Sequence, residues 1–210
     1  MIISRQILSL ALVVLVIAGL SIYKFGIQKA WHPAKINMFQ QGRVKGDPAA
    51  PVKIVEYTDF QCPACAAANT VLEDLFKKHE GKISLEHKHF PLPRHAHSLR
   101  ASIFAECAVE QGKFWPMHDV LFKSQKSWEG MISVDAYFSE LAVSLGLDGT
   151  RLAACVNSPA ADGKVTRDKI AGQTLEVNAT PTFFINGKRV VGGKFMAEEV
   201  EKLLAVPGGK

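Results

Sequence analysis

The chain has 210 residues, of which 48% are hydrophobic and 21% are charged, and this composition excludes an intrinsically disordered protein. The formal net charge is +5, but three basic residues and no acidic residue lie within the first thirty positions. The rest of the chain carries 22 basic and 20 acidic side chains, a balance that argues against a nucleic-acid-binding surface. We predict one sizeable domain with an N-terminal appendage.

The N-terminal segment is apolar and predicts a membrane element. Residues 6–23 contain no charged side chain, and eighteen residues at helical rise span about 27 Å, close to the thickness of a bilayer core. A cleavable signal peptide is the alternative, but its apolar region is usually about 7–15 residues long. We expect an uncleaved single-pass anchor over residues 1–28 and a linker over residues 29–44. Because disulfides persist in oxidising compartments, four cysteines favour a domain on the outer side of a bacterial cytoplasmic membrane.

The domain, over residues 45–206, begins with a predicted strand–helix–strand unit. Residues 24–51 contain several prolines and read as a linker and lead-in. Residues 52–58 are β-branched and mostly apolar, and residues 62–79 then show helical spacing. Residues 83–90 alternate imperfectly and indicate a second strand. Such a unit forms a right-handed parallel crossover by default.

The sequence of the second half of the domain predicts helices followed by a β-hairpin. Residues 94–172 have no good strand pattern, and three helical faces plus a shorter helix from Asp148 indicate an inserted helical subdomain. Residues 182–186 and 189–191 have Asn186-Gly187 at the turn between them, and this pattern predicts a strand–turn–strand unit. A final helix turns its apolar residues inward.

The segment Cys62-Pro63-Ala64-Cys65 stands where the first predicted strand gives way to the first predicted helix. Unpaired N–H groups and the positive dipole end of a helix favour a thiolate there, and proline suits the first helical turn. A C-x-x-C pair can also be half of a zinc site, which needs two further ligands, commonly a second close pair. Cys107 and Cys155 lie 48 positions apart and do not form one. A redox-active dithiol is therefore the favoured hypothesis.

Two His-x-His pairs are further candidates for metal ligands. His87 and His89 share one face of the second predicted strand, whereas His95 and His97 lie in a loop or at a helix start. We expect ordinary surface histidines at these positions, and we expect no metal and no other cofactor.

Several motifs occur in a characteristic order along the chain. They are Asp59-Phe60-Gln61-Cys62-Pro63-Ala64-Cys65, Glu106-Cys107-Ala108, Glu110-Gln111-Gly112-Lys113-Phe114-Trp115 and Ala179-Thr180-Pro181-Thr182-Phe183-Phe184-Ile185-Asn186-Gly187. Over about residues 45–205 the chain resembles the thioredoxin superfamily, and the helical insertion narrows this resemblance to DsbA-like thiol:disulfide oxidoreductases. The resemblance implies an α/β thioredoxin fold with an inserted all-helical subdomain, here joined to an N-terminal transmembrane helix.

The resemblance also implies roles for individual residues. Cys62 would be the exposed nucleophile and Cys65 the more buried resolving thiol. Pro181 would be the cis-proline of the family, and Thr180 its substrate-contacting neighbour. Glu56 would lie beneath the active site and accept the proton of the resolving thiol, because burial raises the pKa of a carboxyl.

Cys107 and Cys155 would form a structural disulfide in such a protein, although free buried cysteines are also common. Closing a loop of this size would contribute about 3–4 kcal/mol to stability. We expect an oxidant of reduced or misoxidised exported proteins, regenerated by a quinone-coupled membrane partner. A reductase or isomerase, served by a membrane reductant, stays open. So do a copper- or zinc-handling dithiol module and a binding or chaperone protein with an incidental dithiol.

Overall fold

A mixed five-stranded sheet is the centre of the molecule. The computed structural model describes residues 42–205. The strands are β1 Val44–Gly46, β2 Val52–Thr58, β3 Ile83–His89, β4 Thr182–Ile185 and β5 Lys188–Val191. They lie in the order β1-β3-β2-β4-β5, with β2 and β3 parallel and the other neighbouring pairs antiparallel.

Helices connect and cover the strands. They are α1 Pro63–Lys78, α2 Ser98–Val109, α3 Phe114–Lys123, α4 Gln125–Trp128, α5 Asp135–Ser144, α6 Gly149–Val156, α7 Pro159–Thr174 and α8 Gly193–Ala205. The crossover from β2 to β3 is α1, and α2 to α7 form the insertion. Within residues 42–205, no helix combines the length and the apolar character that a membrane crossing requires. The predicted anchor over residues 1–28 lies outside the described residues.

The predicted α/β fold with a helical insertion is confirmed. β2 and β3 pair in parallel along their whole length, as the strand–helix–strand pattern predicts. β4 and β5 form the antiparallel pair around the Asn-Gly turn. Cys107 on α2 and Cys155 on α6 are joined by a disulfide with an S–S distance of 2.04 Å. This disulfide lies wholly within the insertion.

Three elements, β1, the short helix α4 and α7, differ from the expectation. The segment read as linker and lead-in contains β1, which pairs antiparallel with β3. Just before this strand, Arg43 is fully buried and its guanidinium binds Asp168, 125 residues further along. A strand of three residues carries too little pattern to be recognised locally. The last helix of the insertion, α7, shows no clear apolar face in the sequence, because three of the four residues that it buries, Ala161, Asp168 and Gly172, are small or polar.

One face of the two central strands changes its chemistry along its length. At the start of the strands this face is aliphatic and packs under α1 and α8 through Val52, Ile54, Ile83 and Leu85. Further along, the same face carries Glu56 and Thr58 on β2, beside His87 and His89 on β3, because residues two apart share a face. The end of β2, which carries Glu56 and Thr58, leads directly into the cysteine segment.

Candidate active site

Cys62 is the N-cap residue of α1, and Pro63 is the first residue of the helix. The backbone of Cys62 is extended, with φ −80° and ψ 121°, and its carbonyl accepts the N–H groups of Cys65 at 3.0 Å and Ala66 at 3.1 Å. Pro63 and Ala64 are exposed at the surface. This geometry places the Cys62 sulfur at a helix N-terminus, where unpaired N–H groups stabilise negative charge.

Asp59 holds the turn that precedes Cys62. Its fully buried carboxylate accepts hydrogen bonds from the Gln61 N–H at 2.8 Å, the Leu92 N–H at 2.9 Å and the Ser98 hydroxyl at 2.5 Å. The His95 ring nitrogen Nδ1 contacts it at 2.7 Å. Sequence reasoning assigned Asp59 no role. An aspartate at the end of a strand often accepts a hydrogen bond from the backbone N–H two residues further on, and this turn signal could have identified Asp59.

Gln125 on α4 fixes the same segment from the insertion. Its side-chain amide donates to the carbonyl oxygens of Phe60 at 2.7 Å and Cys62 at 3.1 Å. The sequence holds no local signal for this contact, because α4 and the cysteine segment meet only in the folded chain. The insertion therefore positions the dithiol as well as covering it.

Thr180 and Pro181 face the dithiol from the segment before β4. The peptide bond between them is cis, and the Cys62 sulfur lies 3.5 Å from the Thr180 carbonyl oxygen. Both cysteines are free, and they are 4% and 0% exposed for Cys62 and Cys65. The expectation of an exposed Cys62 is wrong, because its sulfur packs against the Thr180 carbonyl and within the apolar cluster of the insertion.

The two thiols have opposite electrostatic preferences. The hydrogen bond from the Cys65 thiol lowers the pKa of Cys62 to about 5; burial opposes this, and Thr180 and backbone N–H groups support it. Burial raises the pKa of Cys65, and the hydrogen bond to Cys62 and the charge of Cys62 raise it further. At neutral pH the arrangement therefore favours a thiolate on Cys62 and a proton on Cys65.

Glu56 is almost fully buried on β2, at 1% exposure. Burial raises the pKa of its carboxyl to about 8, while the Thr58 side chain opposes the shift. The Thr58 side chain also lowers the pKa of Cys65, and within the described residues its hydroxyl has no hydrogen-bond partner. Glu56 is thus a protonated acid at neutral pH, and the Thr58 side chain affects the pKa of both Glu56 and Cys65.

The expectation of surface histidines is wrong for His87 and His89, which are both fully buried. Their side chains share the face of Glu56 and lie under α3, with His87 Nε2 at 3.2 Å from His89 Nδ1. His118 on α3 joins them from above and is 1% exposed. Sequence reasoning missed His118, because it lies among the apolar residues of an amphipathic helix. His95 and His97 are half-buried in the loop before α2.

Glu56, His87 and His118 bring a carboxylate oxygen and two ring nitrogens within 4.8 Å of one another. Among residues 42–205 this is the group whose composition could hold a metal ion. Without a metal ion Glu56, with a pKa of about 8, keeps its proton at neutral pH, and a metal would have to displace that proton. The rings of Phe60, Phe114 and Phe122 also pack around these histidines. The group therefore suits hydrogen bonding and proton exchange.

Comparisons with known proteins give a consistent result. A family model described as thioredoxin matches residues 39–205. The solved structure of Wolbachia pipientis alpha-DsbA1 is 26% identical, with a TM-score of 0.67 over 77% of this chain and 89% of that chain. Oxidised BdbD from Bacillus subtilis is 25% identical, with a TM-score of 0.67 over 77% of this chain and 92% of that chain. The resemblance to DsbA-like proteins is confirmed.

The curated relatives carry a different kind of name. The Na(+)/H(+) antiporter NhaA of Herminiimonas arsenicoxydans is 36% identical over 149 residues, which are 71% of this chain and 23% of that protein. The Na(+)/H(+) antiporter NhaA 1 of Mycobacterium sp. strain KMS is 32% identical over 154 residues, 73% of this chain and 25% of that protein. The chain spans about a quarter of the length of these curated relatives.

Proposed function

The chain belongs to the thioredoxin family, and from that premise we propose that it is a thiol:disulfide oxidoreductase that exchanges a Cys62–Cys65 disulfide with protein substrates. The observation that carries the proposal is the asymmetry of the two thiols at the start of α1. The pKa of Cys62 is lowered to about 5, while that of Cys65 is raised. Disulfide exchange needs one stabilised thiolate that attacks or leaves, and a second thiol that resolves the mixed disulfide.

In the oxidising direction the reaction has two steps. A substrate thiolate attacks the Cys62 sulfur of the disulfide, and Cys65 leaves as a thiolate that needs a proton because of its raised pKa. The buried acid Glu56 is placed to supply that proton past Thr58. A second substrate thiolate then attacks the substrate sulfur of the mixed disulfide, and Cys62 leaves as a thiolate that is stable unprotonated. The substrate gains one disulfide, and the protein gains two electrons.

Oxidation is the proposed physiological direction. A stabilised Cys62 thiolate favours the reduced protein, and a protein whose reduced form is favoured gives up its disulfide readily. The pKa of about 5 for Cys62 lies between the values of roughly 7 for thioredoxin and roughly 3.5 for DsbA. Reduction or isomerisation would use the same residues in reverse, so the redox potential distinguishes these roles.

The proposed location is the outer side of a bacterial cytoplasmic membrane, with residues 1–28 as a single-pass anchor. The Cys107–Cys155 disulfide supports an oxidising compartment. The proposed substrates are exported proteins with reduced or mispaired cysteines, and the proposed regenerating partner is a quinone-coupled membrane protein. The antiport activity in the names of the curated relatives concerns proteins about four times as long as the matched segment, and we do not carry it over.

The decisive measurement is equilibration of the purified full chain with glutathione buffers, followed by alkylation of free thiols. A potential well above about −200 mV supports an oxidant, whereas a value near −270 mV indicates a reductant. Cys62→Ser is expected to abolish oxidation of a reduced two-cysteine protein, and Cys107→Ala/Cys155→Ala is the control that keeps the reactive pair.

Two outcomes contradict the proposal. Unchanged activity in Cys62→Ser would make the dithiol incidental and favour a binding or chaperone protein. Stoichiometric copper or zinc that the wild type retains under reducing conditions, and that Cys62→Ser loses, would favour a metal-handling module.

A further inference from the structure

The proton of Cys65 has no direct access to water. Cys65 is 0% exposed and Glu56 is 1% exposed, so a proton that moves between them must cross other groups to reach solvent. His87 and His118 each bring a ring nitrogen within 4.8 Å of a Glu56 oxygen. The atoms Glu56 Oε1, His87 Nδ1 and His118 Nε2 all lack a hydrogen-bond partner. The cluster therefore has free acceptor and donor capacity directly beside the buried acid.

Two carboxylates at the ends of the cluster determine which ring nitrogens carry hydrogen. A carboxylate only accepts hydrogen bonds, so His118 donates from Nδ1 to Asp119 at 2.8 Å, and its Nε2 is bare. His89 likewise donates from Nε2 to Glu106 at 3.4 Å, and its Nδ1 accepts from His87 Nε2 at 3.2 Å. The Nδ1 of His87 is therefore bare as well. The rings of His87 and His118, which lie beside Glu56, therefore each donate their N–H to an acceptor that can take the proton.

The proton routes through His87 and through His118 end at different carboxylates. The branch through His87 ends at Glu106, whose side chain is 3% exposed and lies 3.5 Å from the Arg43 guanidinium. A carboxylate held by a buried guanidinium is a poor place to release a proton. The branch through His118 ends at Asp119, whose side chain is 28% exposed and lines an open surface groove of about 590 Å³. Of the two branches, the second reaches water.

We propose that His118 and Asp119 form the proton outlet of the active site, carrying one proton between Glu56 and solvent whenever Cys65 changes between thiol and thiolate. When Cys65 ionises, its proton passes by Thr58 to Glu56, and the Glu56 proton passes to His118 Nε2. The His118 Nδ1 proton then passes to Asp119 and to water. The reverse movement reprotonates Cys65 when it leaves a disulfide. Each carrier gains and loses one proton, so Glu56 stays neutral and no further reactant is needed.

Groups on several elements face His118 and define its electrostatic setting. They are Lys45 on β1, Glu56 on β2, His87 and His89 on β3, and Asp119 on α3 itself. Asp119 in turn faces Lys45 and Lys123. Burial lowers the pKa of His118, against the opposing effect of Asp119. The ring is therefore neutral near pH 7, and it passes a proton on without storing one.

The outlet is tested by the rate at which dithiothreitol reduces the Cys62–Cys65 disulfide of the full chain, with free thiols trapped by alkylation at millisecond times. His118→Asn keeps an amide that can donate to Asp119 but removes the second nitrogen. We expect it to slow the reaction about tenfold or more, increasingly so as the pH rises from about 6 to 8, because solvent then supplies protons less readily. The equilibrium with glutathione should stay unchanged, since a proton route alters rates only.

A matched control and a second variant complete the experiment. His79→Asn makes the same change in a histidine–carboxylate pair far from the dithiol, where His79 Nε2 lies 3.1 Å from Glu201, and should keep the wild-type rate. Asp119→Asn lies at the open groove, where folding tolerates it, and should slow the reaction about threefold or more. It decides the question if His118→Asn does not fold.

Three results overturn the outlet. They are wild-type rates for both variants at every pH, a pH-independent slowing together with a shifted glutathione equilibrium, and a stoichiometric metal that the wild type binds and His118→Asn loses. The inference depends on the proposed function, and the two fail differently. A wild-type protein that exchanges no disulfide refutes the function, whereas an active wild type with unaffected variants refutes the outlet alone.

Discussion

Glu56 and Glu106 are buried to the same degree, at 1% and 2% exposure, yet their pKa values differ by several units. Burial raises the pKa of Glu56 to about 8. Burial acts on Glu106 too, but the His89 hydrogen bond and the charges of Arg43 and Lys164 lower its pKa to about 2. Burial alone makes a carboxyl neutral, and paired cations reverse that effect. One acid can therefore carry a proton, while the other is a fixed anion.

The fixed anion belongs to a group that ties distant segments together. The Arg43 guanidinium lies between Glu106 on α2 and Asp168 on α7. Asp168 also accepts the backbone N–H of His89 on β3 at 3.0 Å. The ion pairs thus join the start of the domain, two helices of the insertion and the sheet. For Glu56, burial and the Thr58 side chain determine the pKa, and no ion pair to its carboxyl is seen within residues 42–205.

Removal of the fixed anion should have the largest effect on stability. Glu106→Gln leaves buried Arg43 without one of its carboxylates and should lower the free energy of unfolding by about 3–5 kcal/mol near pH 7, measured by urea denaturation. The wild-type advantage is full above the ordinary carboxyl pKa and is lost as the pH falls through about 2. Glu110→Gln is the control, because this acid is 55% exposed and binds the same Lys164 at 3.6 Å. A loss below about 1 kcal/mol for Glu106→Gln would contradict the comparison.

For Glu56 we expect the opposite effect on the free energy of unfolding. Between about pH 4.5 and 8 the folded protein keeps a proton on Glu56 that the unfolded chain releases, so wild-type stability falls as the pH rises. Glu56→Gln removes this dependence and should raise the free energy of unfolding by roughly 2–4 kcal/mol near pH 8, with little change near pH 4. Urea denaturation at both pH values measures it. Parallel pH curves for the two proteins would refute the protonated state of Glu56.

The ion pairs of Arg43 with Glu106 and Asp168 also depend on how closely α7 approaches the sheet. A Cβ atom at Gly172 would lie 2.8 Å from the rings of Phe90 and Tyr57, so Gly172→Ala should displace the helix and cost about 1–3 kcal/mol. Gly163→Ala in the same helix meets only the end of Arg167 at 3.7 Å and should be neutral or stabilising by up to about 1 kcal/mol. Thermal denaturation of both variants measures the difference, and similar melting temperatures would argue against a tight contact.

The smallest effect is expected at the half-exposed cation. The Lys164 ammonium lies 3.2 Å from Glu106, with 32% of its side chain exposed, so Lys164→Met should cost at most about 1 kcal/mol. Buried His89 and Arg43 should still hold the pKa of Glu106 below its ordinary value, which carboxyl NMR titration measures. A return of that pKa to the ordinary range would assign the low value to Lys164.

The order of the elements was predictable because its signals are local. The strand before Cys62, the apolar spacing of α1 and the Asn-Gly turn each lie within a few residues of the feature that they predict. The buried polar groups depend on distant pairing. Arg43 meets Asp168 across 125 residues, and His118 meets Glu56 only after α3 has packed on the sheet. No periodicity in a sequence distinguishes a histidine over a buried acid from one in an ordinary core.

Arg43 also has a mechanical consequence. Within the described residues 42–205, the N-terminal end of the domain is held by the fully buried guanidinium of Arg43, which binds Asp168. Tension on the residues before Arg43 would load β1 at the sheet edge and the ion pairs to α7 first. The cysteine segment follows β2, and β3 separates β2 from β1 in the sheet, so the dithiol is shielded from that load. The domain can therefore be pulled from its N-terminal side while its reactive sulfurs stay in place.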